Sequence, residues 1–389
     1  MGCGSSGRRR ASLPFALLRP LALLLSGGLL LSGCTAGPPA PGSTTTARGG
    51  TEPSATAPGG STAPVGRPGK EPSVEQKLDL GLDLPWSVVF LPDRTAVISE
   101  RDSKLLKVVR NGEATVIGEV PGVVPGGEGG LLGLALSPGF STDRLLYFYY
   151  TAESDNRIAR ARLEAGPGGK LTLGNSTVVF SGIRKASTHN GGRIRFGPDG
   201  FLYVGTGDAQ QREQAQDRNA LGGKILRLTP DGQPAPGNPF GDNPVYSYGH
   251  RNVQGLAWDK DGRLWASEFG PDVDDELNLI RPGGNYGWPE VTGAPGRGEF
   301  IDAKAVWPST SDASPSGLEI TGGVAYTAAL RGQRLWTVPL DGEQAGDPVS
   351  YFTGEFGRLR DVSLASDGTL WVLSNNESPD FALRLRLPG

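Results

Sequence analysis

Residues 192–208 read GRIRFGPDGFLYVGTGD. Two apolar stretches flank a Pro-Asp-Gly turn, which is the chemistry of two short strands joined by a tight hairpin. The unit recurs along the chain. WSVVFLPDRTAVISE (86–100) and LGLALSPGFSTDRLLYFYYT (132–151) precede it. QGLAWDKDGRLWASEFG (254–270), GGVAYTAALRGQRLWTVPLDG (322–342) and DVSLASDGTLWVLSNN (361–376) follow. The stretches are rich in Val, Leu, Tyr and Trp, and no long 3.6-residue periodicity interrupts them. Each unit is a small sheet that cannot bury both faces alone, so the copies must stack. The expectation is an all-β, six-bladed β-propeller. Uneven insertions between copies leave five or seven blades as alternatives. A pair of β-sandwiches is disfavoured, because no linker divides the repeats into halves. In a propeller, loops from distant parts of the chain converge on one mouth of a central channel and can meet around one ligand.

Composition narrows the chemistry. The chain has 389 residues, a net charge of -3, 60 glycines and 32 prolines. The charge gives no footing for nucleic acid, and the Gly and Pro content suits a turn-rich β protein. Both cysteines, Cys3 and Cys34, lie near the N-terminus. Residues 35–389 therefore hold no disulfide, thiolate nucleophile, iron–sulfur cluster or zinc–thiolate site.

Residues 1–34 read as a signal peptide. Arg8, Arg9 and Arg10 form a positive start, LALLLSGGLLL (21–31) is a short apolar run broken by two glycines, and LSGC ends it. LLSGC resembles a bacterial lipobox, which implies cleavage before Cys34 and lipid attachment there, with no spanning helix. MGCGSS also fits a myristoylation pattern, but a cleaved signal removes Gly2. Residues 35–75 are Pro, Gly, Ser, Thr and Ala with almost no large apolar residue, a composition expected to stay a disordered spacer. Residues 76–389 would be the propeller. The expected location is extracytoplasmic, held to the membrane by lipid alone.

Four motifs carry chemistry. The chain has two histidines, and His189 precedes a Gly-Gly pair at a strand entrance, with Asp208 at the far end of the same hairpin. An imidazole is a proton acceptor suited to neutral pH, and the bland alternative is a histidine capping a turn. The Gly-Gly pair leaves a side-chain-free approach for a flat ligand. Arg251 and Asn252 follow the second histidine in GHRN (249–252), where the bland reading of Arg251 is a surface ion pair. The segment EFGPDVDDELNLIRPGGNYGWP (268–289) is rich in oxygen ligands of the kind that suit Ca²⁺, without EF-hand spacing. For Asp272 and Asp274 a solvated turn is the better reading. Arg358 and Arg360, two residues apart, share one strand face.

These motifs, in order and together with GEGGLLGLALSPGF (127–140), GGKILRL (222–228) and NPF (238–240), resemble the soluble sugar dehydrogenases of the glucose/sorbosone dehydrogenase family. Those enzymes use pyrroloquinoline quinone (PQQ) and Ca²⁺ on a six-bladed propeller. The resemblance spans residues 80–387. It implies that His189 is the general base for oxidation of a sugar at C1 to its lactone, that Asp208 holds its tautomer, and that Arg251 faces the quinone oxygen. It implies cofactor contacts from Asn252, Arg331, Arg358, Arg360 and Glu128, of which Arg331 replaces a lysine and Glu128 a glutamine. It assigns catalytic Ca²⁺ to the carbonyls of Gly270 and Pro271, and a second Ca²⁺ to Glu276 and Tyr286. His250 would be structural. Phe269 and Val253 depart from the family pattern. The electron acceptor has no code in the sequence. Two other classes compete: a non-enzymatic extracellular binding propeller, which should lack the base and the cations, and a Ca²⁺-dependent lactonase, for which side-chain carboxylates outside the acidic loop are too few.

Overall fold

The computed structural model describes residues 71–376 and 378–388. Cys34, the signal sequence and all but the last residues of the spacer lie outside them. Six antiparallel sheets follow one another. Blade 1 spans residues 85–119, blade 2 131–183, blade 3 194–248, blade 4 253–307 and blade 5 315–351. Blade 6 takes three strands from residues 359–386 and its outer strand from the other end of the chain, Ser73–Leu82, paired with Asp380–Arg386. The first strands of neighbouring blades pack against one another around the channel. The fold is a six-bladed propeller, and the five- and seven-blade alternatives are excluded.

The strand patterns follow from this stacking. Leu146, Phe148 and Tyr150 turn toward blade 1, while Tyr147 and Tyr149 turn toward blade 3. Leu202 and Val204 face blade 2, and Tyr203 faces blade 4. Alternate residues leave opposite faces of a strand, and here both faces are covered, so the strands read as continuous apolar runs such as LLYFYYT. The core is accordingly divided into six clusters, one at each junction between blades.

Three expectations are corrected. The fifth copy is out of phase: its two strands are the second and third of blade 5, and the channel-side strand is Pro315–Thr321, read PSGLEIT. That strand is half polar at its channel end, which hides it from an apolar-run search. The first strand begins at Ser73, inside the stretch assigned to the spacer. Glu75 there pairs with Arg384 and Arg386, and Val74 sits opposite Leu385, so ring closure holds these residues. The Gly-Gly pair serves packing rather than a ligand. Gly191 and Gly192 both have positive φ; a Cβ on Gly191 would lie 2.5 Å from the Gly205 carbonyl, and one on Gly192 2.6 Å from the Leu132 side chain.

The feature that matters for function is where irregularity collects. In five of the six blades the first strand pair slips register at its entrance. Bulges bend a strand and re-aim its side chains. In blade 3 the first strand is short, and His189 and Gly191 before it take positive φ. The start of each first strand and the end of each second strand therefore share one mouth of the channel.

Candidate active site

A cavity of about 280 Å³ opens at this mouth. Blade entrances supply Glu128, His189, Arg251, Ser314, Arg358 and Arg360. The ends of second strands supply Arg101, Phe269, Gly270, Pro271, Leu330 and Arg331. Five arginines thus face one carboxylate, Glu128.

His189 donates through Nδ1 to Asp208 Oδ1 at 2.7 Å. A buried carboxylate fixes the tautomer with the proton on Nδ1, which leaves Nε2 as an acceptor. No described residue bonds Nε2. Asp208 is 1 % exposed. Its Oδ1 also accepts the Gln210 N–H (2.9 Å), and its Oδ2 accepts the Trp288 indole N–H (2.9 Å). Burial opposes its ionisation, but the His189 bond, the Gln210 amide and the Trp288 indole outweigh burial and hold the carboxyl below the usual carboxylate range.

The backbone of His189 is left-handed, with φ 57°, a conformation that costs a non-glycine residue about 1–2 kcal/mol. Two contacts impose it. The Glu128 Oε2 accepts the His189 N–H at 2.7 Å, and the His189 carbonyl accepts the Ala209 N–H at 3.1 Å. Gly207 packs so closely that a Cβ there would lie 1.9 Å from the His189 carbonyl. Glu128 is therefore a clamp on His189 as well as a cavity wall.

Arg101 pairs with Asp102 (2.6 Å), but the other four arginines make no ion pair with a described residue. Arg360 is 5 % exposed, and its guanidinium bonds only neutral groups: Gln254 Oε1 (2.8 Å), Asn375 Oδ1 (2.8 Å) and Ser316 Oγ (3.4 Å). Its Nε is buried without a partner. Desolvation, with Arg101 and Arg358 nearby, pushes its pKa down to about 9, while Glu128 acts in the opposite sense. Burial likewise lowers Arg358 and Arg251. Neither makes an ion pair with a described residue. Arg251 bonds the Phe269 carbonyl at 3.2 Å, its own N–H goes to Glu268, and its Nε is unpartnered. Arg331 is exposed and reaches Thr310 Oγ1 at 3.2 Å. Buried cations without counter-charges are costly unless a ligand supplies the charge. A second channel cavity of about 370 Å³ offers no such opening, because its charges are already matched: Arg193 pairs with Asp361 and Arg195 with Glu319.

Not every expected residue reaches the cavity. Asn252 is buried behind it, with Oδ1 accepting the Gly191 N–H (2.9 Å) and Nδ2 unpartnered. The carboxylates of the acidic segment act mainly as braces. Glu268 holds His250 (2.8 Å) and the Arg251 N–H, Asp275 holds the N–H groups of Gly270 and Ser314, and Glu276 holds that of Gly293 and the Asn278 amide. Among the described residues no cluster of three His, Cys, Asp or Glu side chains could hold a metal. Gly270 and Pro271 line the cavity, and their carbonyls accept no hydrogen bond from a described residue. Glu276 and Tyr286 line a separate, water-sized cavity beside those two residues. The Tyr286 hydroxyl is spent, donating to the Leu279 carbonyl and accepting the Arg281 N–H. His250, wholly buried, stacks on Tyr286 and bonds Ser247 and Glu268, a structural role. Arg101, Gln254, Thr310 and Ser314 were not anticipated. The signal that finds three of them is positional: Gln254 and Ser314 lie at first-strand entrances and Arg101 just past a second strand, whereas Thr310 lies in the loop that links blades 4 and 5.

Comparison with known proteins converges on one family. The Glucose / Sorbosone dehydrogenase model matches residues 82–383. A PQQ-bound aldose sugar dehydrogenase from Streptomyces coelicolor is 50 % identical, with a TM-score of 0.79 over 83 % of this chain and 99 % of that one. An aldose sugar dehydrogenase of Escherichia coli K12 is 30 % identical over 77 % of this chain and 89 % of its own length. Quinoprotein glucose dehydrogenase B of Acinetobacter calcoaceticus is 30 % identical over 66 % of this chain and 62 % of its own. With the family model matching most of the propeller, the chain belongs to the glucose/sorbosone dehydrogenase family.

Proposed function

We propose that the protein is a PQQ- and Ca²⁺-dependent aldose dehydrogenase that oxidises a sugar at C1 to its lactone. The observation that carries this reading is the pairing, in one cavity, of an oriented imidazole with buried arginines that lack counter-charges. A flat tricarboxylate fits the second feature. Arg358 and Arg360, with Arg331 and Arg101 beside them, would hold its carboxylates, and the Gly270 and Pro271 carbonyls would hold Ca²⁺. When bound, PQQ would supply a two-electron acceptor able to take the hydride from C1, and Ca²⁺ would supply a Lewis acid.

The chain's own groups do the rest. His189 Nε2 takes the proton of the anomeric hydroxyl, while Asp208 keeps the other nitrogen protonated and stabilises the imidazolium that forms. Arg251 places a fixed positive charge in the same cavity, where it favours negative charge developing on the acceptor. Phe269 and Leu330 contribute apolar wall.

The test is reconstitution of purified protein with PQQ and Ca²⁺, followed by dye reduction with a panel of aldoses. Turnover with at least one aldose is expected. Absence of turnover, together with an unchanged quinone spectrum, would leave a binding propeller as the better account. We further propose an extracytoplasmic lipoprotein anchored through Cys34. Radiolabelled palmitate should enter the native chain and be absent from Cys34→Ser.

A further inference from the structure

We propose that Trp288 is a positioning residue that locks the His189–Asp208 pair to Arg251 across the junction of blades 3 and 4. This rests on the dehydrogenase reading above. Trp288 lies in the loop after the third strand of blade 4 and is 8 % exposed. Its indole N–H donates to Asp208 Oδ2 at 2.9 Å, while Oδ1 is occupied by His189 and Gln210. Both carboxylate oxygens are thus tied, and the carboxylate cannot rotate away from the imidazole. The Arg251 guanidinium lies 5.5 Å from the Trp288 ring, and Arg212 lies 5.2 Å from it. The backbone is pinned as firmly: the Trp288 N–H donates to the Gly249 carbonyl (2.9 Å), two residues before Arg251, and its carbonyl accepts the Gln216 amide (2.7 Å).

Side-chain chemistry explains the choice of residue. Tryptophan alone combines a wide π face for a cation with an edge that donates and cannot accept. Phenylalanine keeps the face and loses the donor. A residue that merely filled space would need neither contact.

The test exploits the chain's two histidines. Each pairs through Nδ1 with a carboxylate, His189 with Asp208 and His250 with Glu268. In apoprotein labelled with ¹⁵N-histidine, two downfield ring N–H resonances are expected, and His189→Gln assigns them. Trp288→Phe should shift or broaden the His189 signal and leave His250 in place, the latter certifying the fold. If Trp288→Phe does not fold, Asp208→Ala keeps Trp288 and removes its acceptor. The Trp288 indole proton should then exchange faster with solvent. In the loaded enzyme Trp288→Phe should lower kcat about 10-fold, as expected for one lost hydrogen bond to a charged group, with KM changed less than twofold. An unmoved His189 resonance, or an indole proton indifferent to Asp208, overturns the proposal. The resonances are read without cofactor or sugar. A wild-type protein with no turnover therefore sinks the dehydrogenase reading, and an unmoved signal sinks the Trp288 assignment.

Discussion

At the scale of single residues, the site is a histidine held in an unfavourable backbone conformation by its neighbours. Glu128 does this with a carboxylate that also faces five arginines, so its charge and its hydrogen bond separate on mutation. Glu128→Gln keeps an acceptor for the His189 N–H and removes the negative charge. Its affinity for PQQ should rise several-fold, in line with about 1 kcal/mol for one charge at a partly solvated site, with kcat nearly unchanged. Glu128→Ala loses the clamp too, and kcat should fall about 10-fold; titration of apoprotein and steady-state kinetics read the two effects. Asp208 gives a pH prediction. Its folded pKa lies below the unfolded value, so its stabilising contribution is complete above about pH 4 and fades as pH falls through the folded value. On acidification below that point, the urea midpoint of the native protein should drop more steeply than that of Asp208→Asn. Much of this site was legible, because a rare histidine and a hairpin-linked aspartate stand out in a sequence. The clamp was not legible: Glu128 and His189 are 61 residues apart and meet only when blades 2 and 3 are neighbours.

At the scale of elements, each blade is a small antiparallel sheet whose inner strands are buried on both faces, and the alternation of side chains between neighbours explains why apolar runs rather than alternating patterns mark them. The turn chemistry made four blades plain from their Asp-Gly or Pro-Asp turns. Blade 5 was read one strand late, because Ser316 and Gly317 occupy the channel end of its first strand, where Ser316 bonds Gln254 and Arg360 and Gly317 packs on Asp361. The closing strand was read three residues short for a related reason. It is an outer strand whose first residues are exposed, so its sequence resembles the spacer before it. Its inner residues carry the load of closure: Leu82 is fully buried in the cluster joining blades 6 and 1. Leu82→Ala should destabilise by about 2–5 kcal/mol, measured by urea unfolding. Insensitivity to that change would mean that the N-terminal strand does not close the ring.

At the scale of the molecule, the propeller separates stability from function. Six apolar junctions hold the ring, and the channel mouth is left to polar and charged residues, among them four arginines without an ion-pair partner among the described residues. If PQQ supplies the missing counter-charge, as proposed, salt should screen their attraction for it. Raising ionic strength should therefore weaken PQQ binding while leaving the unfolding midpoint in urea almost unchanged. The positional rule, first-strand entrances and second-strand exits, brings residues from all six blades to one mouth without any sequence motif spanning them. The central claim is that this mouth holds PQQ and that His189 removes the sugar's proton. Its most direct test is a stopped-flow record of the quinone absorbance when PQQ- and Ca²⁺-loaded protein meets an aldose. The native protein should show rapid quinone reduction, and His189→Ala should bind PQQ equally well yet reduce it at least 10²-fold more slowly. Reduction by His189→Ala at the native rate would contradict the account.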